Sequence, residues 1–264
     1  MIDINFVRNE TIKIARDIGG FIRSELASFD RKNIELKGLN DLVSYVDKTS
    51  EKRLVEALRK LIPEAGFLAE EGTSIEQGNA YKWVIDPLDG TTNFLHGLPV
   101  FAISIALYRD DAPILGVVYE INHDEMFVAI ENEPAECNGE IISVSEANRL
   151  EDSLLATGFP YHDFDKNDEY LKILGKFMKR THGIRRMGSA AVDLVYVACG
   201  RFEGFFEFNL KPWDVAAGIF IVQQAGGIVT DFSGGNNIHG GESVIAACAV
   251  HPQMLMEIKK FWDE

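Results

Sequence analysis

Leu54, Ala57, Leu58 and Leu61 fall at i, i+3, i+4 and i+7, the spacing of one helix face, and Pro63 stops the run. The spacing predicts a helix over residues 47–62. Ile12, Ala15, Gly19 and Ile22 mark a similar face within residues 6–29. Between the two, residues 36–43 read as a turn leading into a short extended piece. Beyond residue 80 the pattern changes to short apolar runs. Tyr81-Lys82-Trp83-Val84-Ile85 reads as a strand running into Asp86, and residues 101–107, 114–119 and 125–129 read as successive strands. The links at 109–113 and 121–124 are turn-like, and Asn138-Gly139 marks a hairpin. The first half therefore predicts helices packed on an antiparallel sheet.

The second half alternates. Strands are predicted at 153–157, 184–187, 205–208, 228–229 and 244–247. Helices are predicted at 166–180, 189–198, 215–225 and 252–262, with Gly200 and Gly226-Gly227 closing two of them. Such alternation predicts a layered α/β lobe. The change of character places a lobe boundary near residue 150, dividing the chain into 1–150 and 151–264. The fold class is thus mixed, α+β in the first lobe and α/β in the second.

Composition narrows the function. Of the 264 residues, 46% are hydrophobic and 25% charged, which supplies a sizeable core and excludes global disorder. The net charge of −15, with nothing more basic than Arg185-Arg186, argues against nucleic acid as a partner. Cys137, Cys199 and Cys248 are odd in number and far apart, so neither a zinc site nor a disulfide framework follows. Cys199 and Cys248 sit among small apolar residues and read as buried thiols. No window approaches the roughly 18 apolar residues of a membrane span, and the first residues lack a basic stretch before an apolar run. A reducing cytoplasm is the expected place.

The chemistry gathers in Trp83-Val84-Ile85-Asp86-Pro87-Leu88-Asp89-Gly90-Thr91-Thr92-Asn93-Phe94. An apolar strand delivers Asp86 to its end, Pro87 fixes φ and Gly90 permits a tight turn. A turn of that size can aim two carboxylates at one spot, where a hard divalent cation such as Mg²⁺ would resolve their repulsion. A helix starting at Thr91-Thr92 would present backbone N–H groups to a phosphate. Two further segments bring carboxylates to similar positions, Phe67-Leu68-Ala69-Glu70-Glu71 and Lys211-Pro212-Trp213-Asp214. Each has a plainer reading. Asp89-Gly90 alone is a turn, Glu70-Glu71 alone a solvated loop, and Asp214 alone a helix N-cap. Asp47 likewise reads as the N-cap of the second helix. Together, Glu70, Asp86, Asp89 and Asp214 could hold two or three cations that clamp a phosphate and activate a water.

With these strings in hand, the sequence resembles the inositol monophosphatase family. One family signature is similar to residues 83–94, and another is similar to Trp213-Asp214 through Ala225-Gly226-Gly227. The Glu pair at 70 and 71 and the segment Gly183-Ile184-Arg185-Arg186-Met187-Gly188-Ser189-Ala190-Ala191 stand in the family's order. The resemblance implies a layered αβαβα sandwich with its site between two lobes. It implies a Mg²⁺-dependent, lithium-sensitive phosphatase with two or three ions, acting on an inositol or sugar phosphate, and a homodimer. It implies metal ligation by Glu70, Asp86, Asp89, Asp214 and the Leu88 carbonyl. Gly90 and Thr91 would hold phosphate through their amides, with Thr92 beside them. Thr91 paired with Asp47 would orient and deprotonate the attacking water, with Glu70 as a further catalytic group. Lys37 would lie near a metal-bound water, and Ala190, Glu207 and Arg186 would face the substrate. Ala69 replaces the family's usual Gly and Gln224 its frequent Glu, neither a ligand. The Thr91-Thr92-Asn93 tail resembles the inositol phosphatase branch more than those acting on phosphonucleotides or histidinol phosphate; fructose bisphosphate and phosphonucleotides stay open as substrates, and a non-enzymatic, cation-binding regulatory protein is the alternative of another class.

The remaining polar signals carry less. The six histidines show no metal-ligand spacing, Ser104 and Ser189 have no base nearby in sequence, and the Gly-rich run 234–241 reads as a surface loop. Phe159-Pro160-Tyr161-His162 reads equally as a substrate border or a turn.

Overall fold

Helix α1 (Ile4–Leu26) starts where Asp3 accepts the Phe6 amide, and it buries Val7, Thr11, Ala15, Ile18, Gly19 and Ile22. The structure, a computed structural model, describes residues 2–27, 35–38, 41–72, 75–76, 80–159 and 165–262; for 35–38, 41–43 and 75–76 it describes the backbone alone. Strands β1 (Glu35–Gly38) and β2 (Asp41–Val43) form an antiparallel pair where one extended piece was expected. Helix α2 (Tyr45–Leu61) follows. It begins two residues earlier than the spacing predicts, because Ser44 rather than Asp47 is the N-cap. The Ser44 side chain accepts the Val46 amide, and Asp47, at the third helical position, reaches back to Ser44.

The next strands are β3 (Gly66–Ala69), β4 (Ile75–Glu76) and β5 (Tyr81–Asp89). After helix α3 (Thr91–His96) come β6 (Ala102–Arg109), β7 (Ala112–Glu120), β8 (Glu125–Ile130), β9 (Glu136–Cys137) and β10 (Glu140–Ile141). They form one sheet in the order β10-β9-β8-β7-β6-β5-β3-β4. It is antiparallel, as expected, except that β3 lies parallel to β5. That exception matters below, since parallel neighbours end at the same edge.

The second half supplies β11 (Leu154–Thr157), α4 (Asn167–Met178), β12 (Gly183–Arg185), α5 (Ala190–Ala198), β13 (Gly204–Phe208), α6 (Pro212–Gln224), β14 (Ile228–Thr230), β15 (Ser243–Ala247) and α7 (His251–Trp262). Its sheet runs β12-β11-β13-β15-β14. Helices α1 and α2 cover one face of the first sheet, α5 and α6 lie between the two sheets, and α4 and α7 cover the far face of the second. The result is the α/β/α/β/α layering that the resemblance implies. Sequence explains which helices sit in the middle. Every residue of α5 is buried, as are all positions of α6 from Val215 to Val222, and a helix apolar all round has no solvent face to offer. Each fully buried Val, Leu or Ile in this layer contributes about 1.5–3 kcal/mol. The central core joins Val84, Ala102 and Val118 to Leu194, Ile221 and Val244, so it crosses the change near residue 150. Cys248 is buried as expected, but Cys199, also expected to be buried, is partly exposed at the C-terminal end of α5, as is Cys137. No helix among the described residues is long and apolar enough to cross a membrane.

Candidate active site

Asp86 and Asp89 are three apart, so a regular strand would point them to opposite faces. The pairing of β5 with β6 shows how this is avoided. Asp86 faces Ser104 and Asp89 faces Ala102, so three steps on one strand match two on its neighbour. This bulge carries Pro87, which has no amide to lose, and brings both carboxyls to one side. Gly90 then takes φ +96, where a side chain would be strained and a Cβ would sit 2.9 Å from the Val100 carbonyl oxygen. It caps α3, which begins at Thr91 as expected.

Parallel pairing brings in the next carboxyl. Ala69 stands opposite Ile85, so Glu70 and Asp86 emerge side by side, and the Glu70 amide donates to the Ile85 carbonyl at 3.3 Å. Asp214 arrives from α6. It is not the N-cap that its position suggests. Pro212 starts the helix after Lys211, and Asp214 stands at the third position, its Oδ2 accepting the Lys211 amide at 2.7 Å. Proline is favoured there because its missing N–H would be unpaired anyway. Asp89 is held from α5, where the Ser189 hydroxyl and the Ala191 amide donate to Oδ2 at 2.7 and 2.6 Å.

The electrostatics follow from this crowding. Burial pushes Asp86 well above the usual carboxylate range, and Glu70, Asp89 and Asp214 push it further. Burial raises Asp214 to about 8, with Asp89 adding to the effect. Asp89 rises only to about 6, because burial is opposed by Ser189, Ala191 and Arg186. Four carboxyls this close cannot all be ionised without a counter-charge. Without metal they share protons, and Asp86 is hydrogen-bonded to Glu70. Among the described residues no three of these groups already form a ligand cage. The all-oxygen donor set, needing neutralisation and short of basic residues, fits hard divalent cations such as Mg²⁺.

Beside the carboxyls stands a polar pair. Thr91 Oγ1 lies 2.8 Å from Asp47 Oδ1 and 3.0 Å from the Leu88 carbonyl oxygen. Asp47 Oδ2 accepts the Ser44 amide and hydroxyl at 2.9 and 2.7 Å. Asp47 is almost fully buried, and burial outweighs these hydrogen bonds and raises its pKa. On the far side, burial lifts Glu207 to about 8 against the pull of Arg186. Gly158 packs directly under the Glu207 carboxyl, so a Cβ there would overlap it. Ala190 begins α5 beside the amide that holds Asp89.

Most of the expected residues therefore converge. Glu70, Asp86, Leu88, Asp89, Gly90, Thr91, Asp47 and Asp214 surround one region, with Arg186 and Glu207 acting electrostatically on Asp89 or Asp214. Thr92 is exposed on α3. The side chain of Lys37 and residues 160–164 lie outside the described residues. Of the buried carboxyls that were not anticipated, Glu51 and Asp193 bear on this site. Glu51 lies one turn beyond Asp47, a spacing with no meaning until Asp47 is placed. Asp193 interrupts the apolar run of α5, one oxygen lacking a hydrogen-bond partner among the described residues, and burial pushes it well upward with Glu207 and Asp89 adding. A lone charge in a wholly apolar helix was the available signal.

Known proteins match this chain over nearly its whole length. The model of the inositol monophosphatase family matches residues 3–263. The chain is 45% identical over 249 residues to the putative Nus factor SuhB of Neisseria meningitidis serogroup B, covering 94% of this chain and 95% of that one. The crystal structure of extragenic suppressor protein SuhB from Bartonella henselae superimposes with TM-score 0.90 at 41% identity, covering 96% of this chain and 98% of the other. The Thermotoga maritima IMPase superimposes with TM-score 0.86 at 36% identity, covering 96% of each.

Proposed function

This chain belongs to the inositol monophosphatase family, and on that premise we propose that it hydrolyses a phosphate monoester of a small polyol, myo-inositol monophosphate first, with Mg²⁺. The observation that carries the reading is the Thr91–Asp47 hydrogen bond beside the four-carboxyl cluster. Two or three Mg²⁺ ions, held by Glu70, Asp86, Asp89, Asp214 and the Leu88 carbonyl, would supply charge neutralisation and Lewis acidity at the phosphate.

The residues of the chain do the rest. Thr91 Oγ1 has one proton, and the buried Asp47 carboxylate draws it more strongly than the Leu88 carbonyl does. A lone pair on Oγ1 is left to accept from a water, which is thereby aimed at phosphorus. As the water attacks, its proton passes to Thr91 and the Thr91 proton to Asp47, while the bond from phosphorus to the polyol oxygen breaks and the departing alkoxide takes a proton from solvent water. The raised basicity of Asp47 is the direction a general base needs. Amides of Gly90 and Thr91, with Thr92 at the rim, orient the phosphate. Arg186, Ala190 and Glu207 read the polyol, and a protonated Glu207 can donate as well as accept. Lys37, in the role that the family resemblance implies, would lie near water held by the ions. In this reading residues 1–150 and 151–264 act as two lobes of a cytoplasmic homodimer.

Phosphate release from a panel of inositol, sugar and nucleotide phosphates, with and without chelator and Li⁺, is the test. Full activity in excess chelator, or no turnover of any monoester with Mg²⁺, overturns the reading. Preferred turnover of fructose 1,6-bisphosphate or a phosphonucleotide would keep the reaction and replace the substrate. A second reading, a Nus factor role, is carried by the name of the Neisseria relative. A catalytically inactive chain that still performs that role in place of such a relative would separate the two.

A further inference from the structure

Glu51 is fully buried on α2, four residues after Asp47 and hence on the same helix face. A glutamate is almost never buried so completely unless something holds it. Its Oε2 accepts the Glu71 amide at 2.6 Å. Glu71 follows Glu70, and two backbone bonds also tie the turn that carries both, the Glu70 amide to Ile85 and the Gly72 amide to Ala69, each at 3.3 Å. The Glu51 bond is the shortest of the three. One face of α2 thus reaches both halves of the site, Asp47 touching Thr91 and Glu51 touching the turn that bears Glu70.

We propose that Glu51 is a positioning residue, whose carboxylate fixes the Glu70 turn so that the Glu70 carboxyl stands ready for a divalent cation. The inference rests on the metal-dependent reading of the site. It does not require Glu51 to touch metal or substrate. What matters is the reach of its acceptor oxygen, not its charge, and this separates it from a generic buried carboxylate. Shortening the side chain by one methylene draws the oxygen back by roughly 1.3 Å, from 2.6 Å to roughly 3.9 Å, beyond hydrogen-bond range. Groups that support metal ligands typically change affinity by about 10–100-fold when lost.

The experiment is Mg²⁺ titration by calorimetry of the full chain, comparing wild type, Glu51→Gln and Glu51→Asp, with circular dichroism to check folding. Glu51→Gln keeps the reach and loses the charge, so its Mg²⁺ affinity should stay within about threefold of wild type. Glu51→Asp keeps the charge and loses the reach, so its affinity should fall about 10-fold or more. Its turnover should recover at high Mg²⁺ while the KM for substrate at saturating Mg²⁺ stays unchanged. Wild-type affinity in Glu51→Asp, or an equal loss in both variants, overturns the positioning role alone. Should Glu51→Asp fail to fold, a 10-fold loss in Glu51→Gln would still overturn it and retained affinity support it. A wild-type chain that binds no Mg²⁺ overturns both this inference and the reading beneath it.

Discussion

Asp47→Asn separates the chemistry of the Asp47–Thr91 pair from its structural role. Asp47 Oδ2 accepts two donors from Ser44 and Oδ1 accepts Thr91 Oγ1. An asparagine can keep its carbonyl oxygen on the Ser44 side, preserving the start of α2, and must then point its amide at Thr91. The hydroxyl becomes an acceptor from residue 47 and gives its proton to the Leu88 carbonyl, 3.0 Å away. The relay is reversed with hardly an atom moved. Two bonds to Ser44 weaken from charge-assisted to neutral, at about 1 kcal/mol each, while the desolvation penalty of a buried carboxylate disappears. The net stability change should lie within about 1–2 kcal/mol. Catalysis should suffer far more. Losing a general base lowers kcat by about 10²–10⁴-fold, or about 2.7–5.4 kcal/mol of barrier. Steady-state phosphate release with saturating Mg²⁺, alongside thermal melts, measures both. Thr91→Val should fall in the same range, and the double variant should be little worse than either single one, since both remove one relay. An Asp47→Asn enzyme with more than a third of wild-type kcat, or strictly multiplicative losses in the double variant, would refute the relay.

Asp86→Asn should lose nearly all turnover yet melt no lower than wild type without metal, because it removes the carboxyl most strongly opposed by its neighbours; retained wild-type activity sinks the metal-site assignment. Gly158→Ala should displace the Glu207 carboxyl at small cost in stability, raising KM for a polyol phosphate about tenfold or more while Mg²⁺ affinity is unchanged. An unchanged KM would remove Glu207 from the substrate contacts. The last prediction concerns pH. Glu207 and Asp214 both titrate near 8 in the metal-free fold, against about 4 in an unfolded chain. A raised carboxyl stabilises fully below its unfolded value, and that contribution is lost as pH rises through the folded value. Melts in chelator should therefore fall from about pH 5 to about pH 8.5, and Mg²⁺ should raise the melting temperature more at the alkaline end. Equal Mg²⁺ stabilisation across that range would refute it.

How much of this was written in the sequence depends on the length scale of each interaction. The helices of the outer layer and the strands β5 to β8 were legible because their apolar periods are local and strong. The motif at 83–94 was legible because strand, proline, glycine and hydroxyls fall in one string. Asp47 and Asp214 were located but assigned the wrong cap position. The spacing shows a polar residue near a helix start, and only the chain's path shows whether Ser44 or Asp47, Lys211 or Asp214, is first. The β5 bulge is invisible in sequence, since it exists only relative to β6. The parallel pairing of β3 with β5 is equally non-local, and without it nothing says that Glu70 and Asp86 are neighbours. Glu51 and Asp193 show the same limit from the other side. Glu51 looks like a surface charge until the layers close over it, and Asp193, though it stands alone in an apolar run, has no visible neighbours until they do.

These non-local features share a consequence. The site is assembled from elements that the layering forces together: the ends of β3 and β5, the first turn of α2, and the N-terminal turns of α5 and α6. Three of the acidic groups, Asp47, Asp89 and Asp214, are held by amides at helix starts, where the helix dipole favours negative charge. Asp86 lacks such a start and is the carboxyl that its neighbours oppose most. Helix termini can moderate the repulsion of a carboxyl cluster but cannot remove it, so the fold keeps a standing demand for positive charge at its centre. A divalent cation answers that demand when bound, and protons answer it otherwise. On the proposed function, the ion that would activate the site would also relieve its repulsion, and activity and stability should respond to Mg²⁺ over the same concentration range.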